Sequence, residues 1–398
     1  MLPWNKSAAG LVPALALAAL VAGPALAEGE VVMQDPGGAY GDALREVMYD
    51  PFEKETGIDV VTVQEARSGP RIKAQVDAGK TEWDLTFIFD QETRLLGDCC
   101  LADIDYSKLS PEAQKTLATM PDNLKRPKGV ALQVIGVAMV YNTDVYSDEQ
   151  PQSWADFWDT EKFPGRRCMP AWPRFVMEAA LMADGVPKDE LYPVDVERAL
   201  KKIAEIKPHV SKWWTTSAQA PQLLLDGEAD LCMAYTGATS ILALEGAPLE
   251  VEWNQGFVYY DFFSIPKGAP NYDNALKLLS WRLDAERAAQ LTSAYPVALP
   301  SPLVYEAADP EIAKYWANNP ENLAKAIEWS PDYWGAASGH GTTTNEEYGQ
   351  EQLNALLAGG RRGRVAGRGL MPCIITIARA VLARASRKRP GGTWTRHS

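Results

Sequence analysis

Short apolar runs alternate with amphipathic helical stretches along most of this chain, and that alternation narrows the available folds more than any other feature. Glu30 to Met33 reads as a short strand, Gly37-Gly38 as a turn whose backbone can come close to a ligand, and Gly41 to Thr56 as a helix stopped by Gly57. Val60 to Val63 is a second strand, and Ile72 to Ala78 suits a helix. Trp83-Asp84-Leu85-Thr86-Phe87-Ile88 is nearly continuous in apolar residues, as a strand covered on both faces requires. Strand and helix in this order predict an α/β architecture with largely parallel sheets. At 398 residues the chain exceeds what one hydrophobic core usually organises, so two lobes are expected.

The pattern continues beyond Asp90. Gly136 to Asn142 reads as a long strand passing from one lobe to the next, and Ser153-Trp154-Ala155-Asp156-Phe157-Trp158 as an N-cap opening an amphipathic helix. Asp195 to Ile206 and Ala218 to Leu225 are further helices, and Ala229 to Tyr235 is a strand. Gly256 to Ile265 is a strand rich in aromatic residues that turns at Pro266-Lys267-Gly268. In open parallel sheets ligands bind beyond the carboxyl ends of strands. That rule nominates Gly37, Gly38 and Tyr40 after the first strand, Asp90 after the third, and Tyr235-Thr236-Gly237 after the Ala229 strand.

Lys6, an apolar stretch from about Ala8 to Ala22 and the small residues of Pro24-Ala25-Leu26-Ala27 have the layout of a signal peptide, residues 1–27, cleaved after Ala27. The apolar run is short for a membrane span and no Cys follows the cleavage point, so a soluble, periplasmic chain is expected. Net charge is −13; setting aside Lys6 and the ten Lys/Arg of residues 361–398 leaves −24 for residues 28–360. So acidic a body repels nucleic acid and anionic lipid, and no nucleic-acid partner is expected. The basic tail 361–398 follows a natural helix stop at Gly359 and is expected to lie outside the fold. Five cysteines, Cys99, Cys100, Cys168, Cys232 and Cys373, allow disulfides in an exported chain. A bridge from Cys99 or Cys100 to Cys168 or Cys232 and buried free thiols both fit. Gly-x-Ser-x-Gly, His-Glu-x-x-His and the complete Walker motif Gly-x-x-x-x-Gly-Lys-Ser/Thr are absent, so neither an enzyme nor a cofactor is expected, and with three His no metal site is expected.

Four phrases carry a resemblance. They are Pro51-Phe52-Glu53-Lys54-Glu55-Thr56-Gly57-Ile58-Asp59-Val60 followed by Trp83-Asp84-Leu85; then Ser153 to Trp158; then Gly227-Glu228-Ala229-Asp230-Leu231; and finally Tyr259-Tyr260-Asp261 to Ile265-Pro266. In order and spacing the chain resembles the spermidine/putrescine-binding branch of periplasmic solute-binding proteins, the capture subunits of ABC importers, over roughly residues 30–358. The resemblance implies a type II two-lobed fold that closes on its ligand by a hinge. Lobe 1 is expected over 28–137 plus 260–305 and lobe 2 over 138–259 plus 306–360. It further implies a monomer that captures a small amine-bearing ligand, a polyamine first, and delivers it to an inner-membrane permease.

Relatives of this kind hold the amine with a carboxylate and line its methylene chain with rings. The resemblance puts Asp261 in the amine-binding role, with Tyr260 and Tyr235 as rings and Trp334 beside Trp329 as a cap over the cleft. The chain departs from the polyamine pattern after the Trp154 helix, where it reads Cys168-Met169-Pro170-Ala171-Trp172-Pro173-Arg174-Phe175 and lacks the second acid. Asp90 is one candidate for a relocated acid. Alternatively Arg174, near Trp172, captures a carboxylate, and the ligand is an amino-acid derivative or opine. A ferric-ion binder using Tyr259-Tyr260 and an anion such as a phosphonate cradled at Gly37-Gly38 are the remaining alternatives.

Overall fold

The computed structural model describes residues 29–35, 37–65, 69–341 and 343–359. The expected signal peptide at 1–27, the basic tail at 361–398 and Cys373 lie outside the described residues.

Strand Glu30–Asp35 is followed by the helical stretch Gly38–Leu44, a π-helical turn Arg45–Tyr49 and the helix Asp50–Thr56, which Gly57 stops in the left-handed conformation at φ 68°. Strand Asp59–Gln64 returns parallel to the first, and Met33 bridges to Leu85 ahead of the short strand Thr86–Phe89. A second, larger sheet runs in the order Ile327–Glu328, Leu249–Ser264, Gly129–Asn142, Leu231–Tyr235, Arg167–Pro170, Val210–Trp214. Thr86–Phe89 joins it by pairing with Leu249–Ser264.

The two-stranded sheet is parallel, but the larger sheet is mixed rather than largely parallel. Gly129–Asn142 and Leu249–Ser264 are antiparallel, pairing from Val130 opposite Phe263 to Asn142 opposite Leu249. One strand takes the chain out of a lobe and the other brings it back, so the pair must run in opposite directions. Together they link two cores. The first gathers Val31, Leu44, Phe52 and Leu117 with Phe262, Leu279 and Leu291; the second gathers Val140, Cys168, Trp214, Leu224 and Val251. This is the two-lobed α/β arrangement with a hinge between the lobes.

Cys168 and Cys232 are paired residues of neighbouring parallel strands and form a disulfide, with Cα atoms 4.5 Å apart. Cys99 and Cys100 are joined to each other at the end of the helix Asp90–Cys100. Neither a bridge between these two pairs nor free thiols at these four positions is found, because each of the four pairs with a cysteine of its own lobe.

Candidate functional site

Three segments meet at the strand Leu249–Ser264. Strand residues alternate faces, so Tyr259 and Asp261 share one face and Tyr260 takes the other. Tyr235 ends the strand Leu231–Tyr235 and opens the helix Thr236–Leu244. Trp172 and Arg174 lie on the loop between Arg167–Pro170 and the helix Val176–Ala183. That loop is fixed from outside: Gln350, on the helix Asn345–Leu357, donates from Nε2 to the Ala171 carbonyl at 2.9 Å. Phe175 takes a positive φ of 68°, a costly conformation for a non-glycine residue. Its ring packs 5.9 Å from Tyr259 and 5.6 Å from Trp329.

Asp261 is buried, and its Oδ1 has no hydrogen-bond partner. Burial pushes its carboxyl well above the usual carboxylate range, against the opposing pull of Arg174. Arg174 is largely buried, with 15% of its side chain exposed. Burial works to lower its pKa, but Tyr235, Glu346, Tyr259 and Asp261 around it outweigh that and keep it charged. The guanidinium carbon lies 5.4 Å from the Phe89 ring centre, 5.9 Å from Trp172 and 6.0 Å from Trp329. Its Nη1 is 3.5 Å from Glu346 Oε1, while its Nε is buried without a partner. The indole Nε1 atoms of Trp172 and Trp329 are likewise buried and unpartnered. Tyr235 and Tyr259 are hydrogen-bonded to each other, and burial raises the pKa of both hydroxyls.

Tyr40 adjoins this group: its hydroxyl meets Gln133 Nε2 and, at 3.3 Å, Arg282 Nη2. The turn before it behaves differently. Gly37 and Gly38 both have positive φ, 69° and 63°, as the sharp entry to the helix demands. Gly38 is exposed, and the Gly37 N–H donates to Asp35 Oδ1 at 2.6 Å. A carboxylate of the chain itself thus sits where an anion would be cradled.

Three nominated residues have partners of their own, although Asp90 and Tyr260 line one small pocket with Phe89, Tyr259 and Trp329. Asp90, the candidate second acid, is held by Arg94 at 3.0 Å and by Arg126, whose guanidinium stacks on Phe262. It is already neutralised, and Phe262 lies on the face opposite Asp261. Tyr260 lies on that same opposite face, near Glu328, because neighbouring residues of a strand diverge. Trp334 is fully buried in the second lobe and donates from Nε1 to Glu178 Oε1 at 2.7 Å, so it is a core residue rather than a cap. The sequence marks Tyr259 only as half of a candidate ferric-ion pair and does not single out Phe89, Phe175 or Glu346. Period-two alternation from Asp261 marks Tyr259; nothing local marks Glu346. Among the described residues no group of three or more His, Cys, Asp or Glu is placed to hold a metal ion.

Two lobes joined by crossing strands, with a desolvated acid, a desolvated guanidinium and a ring of aromatics at the crossing, define a hinged solute-binding protein. The chain belongs to the bacterial extracellular solute-binding protein family, whose model matches residues 47–324. It is the substrate-binding protein of an ABC transporter, not an enzyme: it binds a small solute and works with a membrane permease. An ABC transporter structure from Rhodopseudomonas palustris CGA009 is 78% identical, with a TM-score of 0.76, over 82% of this chain and 99% of that one. A gamma-aminobutyric acid-binding protein of Pseudomonas aeruginosa is 32% identical over 62% of this chain and 69% of its own length. The spermidine/putrescine-binding periplasmic protein of Escherichia coli is 26% identical over 76% of this chain and 87% of its own.

Proposed function

We propose that the solute is a small zwitterion, its ammonium on Asp261 and its carboxylate on Arg174, with Tyr235, Tyr259 and Phe89 around the apolar link. The observation that carries this is that four of the thirteen buried side-chain polar atoms without partners among the described residues gather at this cluster: one acceptor, Asp261 Oδ1, and three donors, Arg174 Nε, Trp172 Nε1 and Trp329 Nε1. Each such atom costs about 1–3 kcal/mol unless something pairs with it. An ammonium offers only donors and a carboxylate only acceptors. A ligand that satisfies the whole set must carry both groups.

A polyamine is the second reading, favoured by the buried acid among aromatic rings and by similarity to the Escherichia coli protein. It offers nothing to the three orphaned donors, and Asp90 has no charge left for a second ammonium. Similarity to the gamma-aminobutyric acid-binding protein supports the zwitterion. We further propose that the chain matures after Ala27 and acts as a periplasmic monomer. Isothermal titration with 4-aminobutyrate, 5-aminovalerate, putrescine, spermidine and ferric ion tests the solute class. Binding of the ω-amino acids is expected. Tight binding of the diamines or of ferric ion, with none of the ω-amino acids, sinks the reading.

A further inference from the structure

One face of the helix Asn345–Leu357 lies along the loop that carries Trp172 and Arg174. Glu346, Gly349 and Gln350 are spaced i, i+3 and i+4, so they share that face. Gln350 Nε2 donates to the Ala171 carbonyl at 2.9 Å, and Glu346 Oε1 stands 3.5 Å from Arg174 Nη1. Between them Gly349 is buried and leaves no room for a side chain: a Cβ there would come within 3.0 Å of Pro173 Cβ and 3.1 Å of Trp334 Cζ3. The Pro173 ring is rigid and Trp334 is fixed by its bond to Glu178, so the helix packs this closely only because residue 349 is glycine. Three residues of one helix face thus meet residues 171, 173 and 174.

The two polar contacts hold opposite ends of the loop. Ala171 is gripped from both sides, since its N–H also donates to the Trp214 carbonyl at 2.8 Å. Arg174 is a long side chain with several rotatable bonds, and ordering it costs conformational entropy whenever the binding geometry must be found. Burial favours the neutral forms of Tyr235, Tyr259 and Asp261 around it, so the contact with Glu346 is the ion pair that Arg174 makes among the described residues. That ion pair takes Nη1 and leaves the Nε edge, buried and unpartnered, on the other side of the guanidinium. The arginine is therefore held at one end in the orientation that presents its other edge to a solute carboxylate.

We propose that the helix Asn345–Leu357 positions the solute-binding loop, with Glu346 and Gln350 as positioning residues that fix Arg174 for the solute carboxylate without touching the solute. This rests on the zwitterion reading and adds to its site a support from a distant stretch of the chain.

The test is titration calorimetry of the exported full-length protein with 4-aminobutyrate and with butylamine, in which a methyl group replaces the carboxylate and nothing engages the guanidinium. Wild type should bind 4-aminobutyrate at least about tenfold tighter, the gain expected of hydrogen bonding to a charged group. Glu346→Asp keeps the charge and shortens the reach by one methylene, and Gln350→Ala releases the Ala171 carbonyl. Each variant, shown to be folded by its thermal midpoint, should weaken 4-aminobutyrate about three- to tenfold and leave butylamine within about twofold of wild type. Equal losses for the two solutes make the helix a general support and overturn the proposal, as does an unchanged affinity for 4-aminobutyrate in either variant. A wild type with no preference for 4-aminobutyrate over butylamine sinks the zwitterion reading itself, and the assignment of Glu346 and Gln350 falls with it.

Discussion

Asp261→Asn tests the centre of the site. The wild-type carboxylate is fully buried, one of its oxygens has no partner, and its pKa is held well above the usual range by burial. A solute ammonium at Oδ1 forms a buried ion pair, and removing one partner of such a pair costs about 3–5 kcal/mol. At 1.4 kcal/mol per decade that is roughly 10²- to 10³-fold in affinity. Part of it is already spent in wild type, because a carboxyl with a raised pKa must release a proton before it can pair, so a loss near the lower figure, about 10²-fold, is expected. The same proton fixes the pH dependence. Ammonium binding favours the ionised form, so wild-type affinity should rise with pH above the ordinary carboxylate range and level off once the free carboxyl ionises. Asn cannot titrate, and the variant's profile should be flat. Stability moves the opposite way. With its folded pKa raised, Asp261 stabilises less as pH rises from about 4, so Asp261→Asn should melt higher than wild type at neutral pH. Titration calorimetry in two buffers of different ionisation enthalpy counts the released proton, and a thermal scan reads the stability. An Asn variant that binds every amine solute as tightly as wild type, or wild-type binding with no proton released at any pH from the ordinary carboxylate range upward, would refute the reasoning.

Trp329→Phe keeps the ring and removes the buried N–H; calorimetry should show a loss of about 1–2 kcal/mol in affinity for carboxylate-bearing solutes, with no loss of thermal stability. Glu178 accepts from Trp334 Nε1 and Tyr192 Oη through Oε1, its Oε2 is buried without a partner, and burial pushes its carboxyl up to about 7. Its folded pKa being raised, the stability it supports is complete at acid pH and falls as pH climbs to 7. Denaturant midpoints should decline over that range by an amount equivalent to about 3 kcal/mol, and Glu178→Gln should remove the decline. The Cys168–Cys232 bridge closes a loop across 64 positions. Replacing both residues with Ala should cost about 4 kcal/mol in chemical unfolding, and a midpoint unchanged by the double substitution would show that the bridge does not constrain the unfolded chain.

What could be read in advance, and what could not, follows the range of the interactions. The first strands, the helix stopped at Gly57 and the crossing strand through Gly136 depend on local periodicity, and their signals were plain. Asp261 is reached through the family resemblance, which puts it in the amine-binding role, and not from periodicity or composition. Tyr259 could have been chosen over Tyr260 from the same two letters, since only alternate residues share the face of Asp261. Asp90 is the converse case. Its place at a strand end suggested ligand contact, yet Arg94 one helical turn on already pointed to an internal ion pair. The Cys168–Cys232 bridge and the Arg174–Glu346 pair join distant stretches of sequence, and no spacing rule reaches them.

The unpaired atoms add a kind of information that residue identities do not carry. Trp172, Trp329, Arg174 and Asp261 are each common in protein cores, and buried polar atoms there nearly always find partners within the chain. Four that do not, gathered around one guanidinium and one carboxylate, are better explained as groups matched to something from outside than as tolerated defects, since their combined penalty of several kcal/mol would otherwise consume much of a domain's net stability. Their sorting into donors and an acceptor then limits the chemistry of what fits. On the proposed reading, the site limits the solute more narrowly than its relatives do, which include binders of both an amino acid and polyamines.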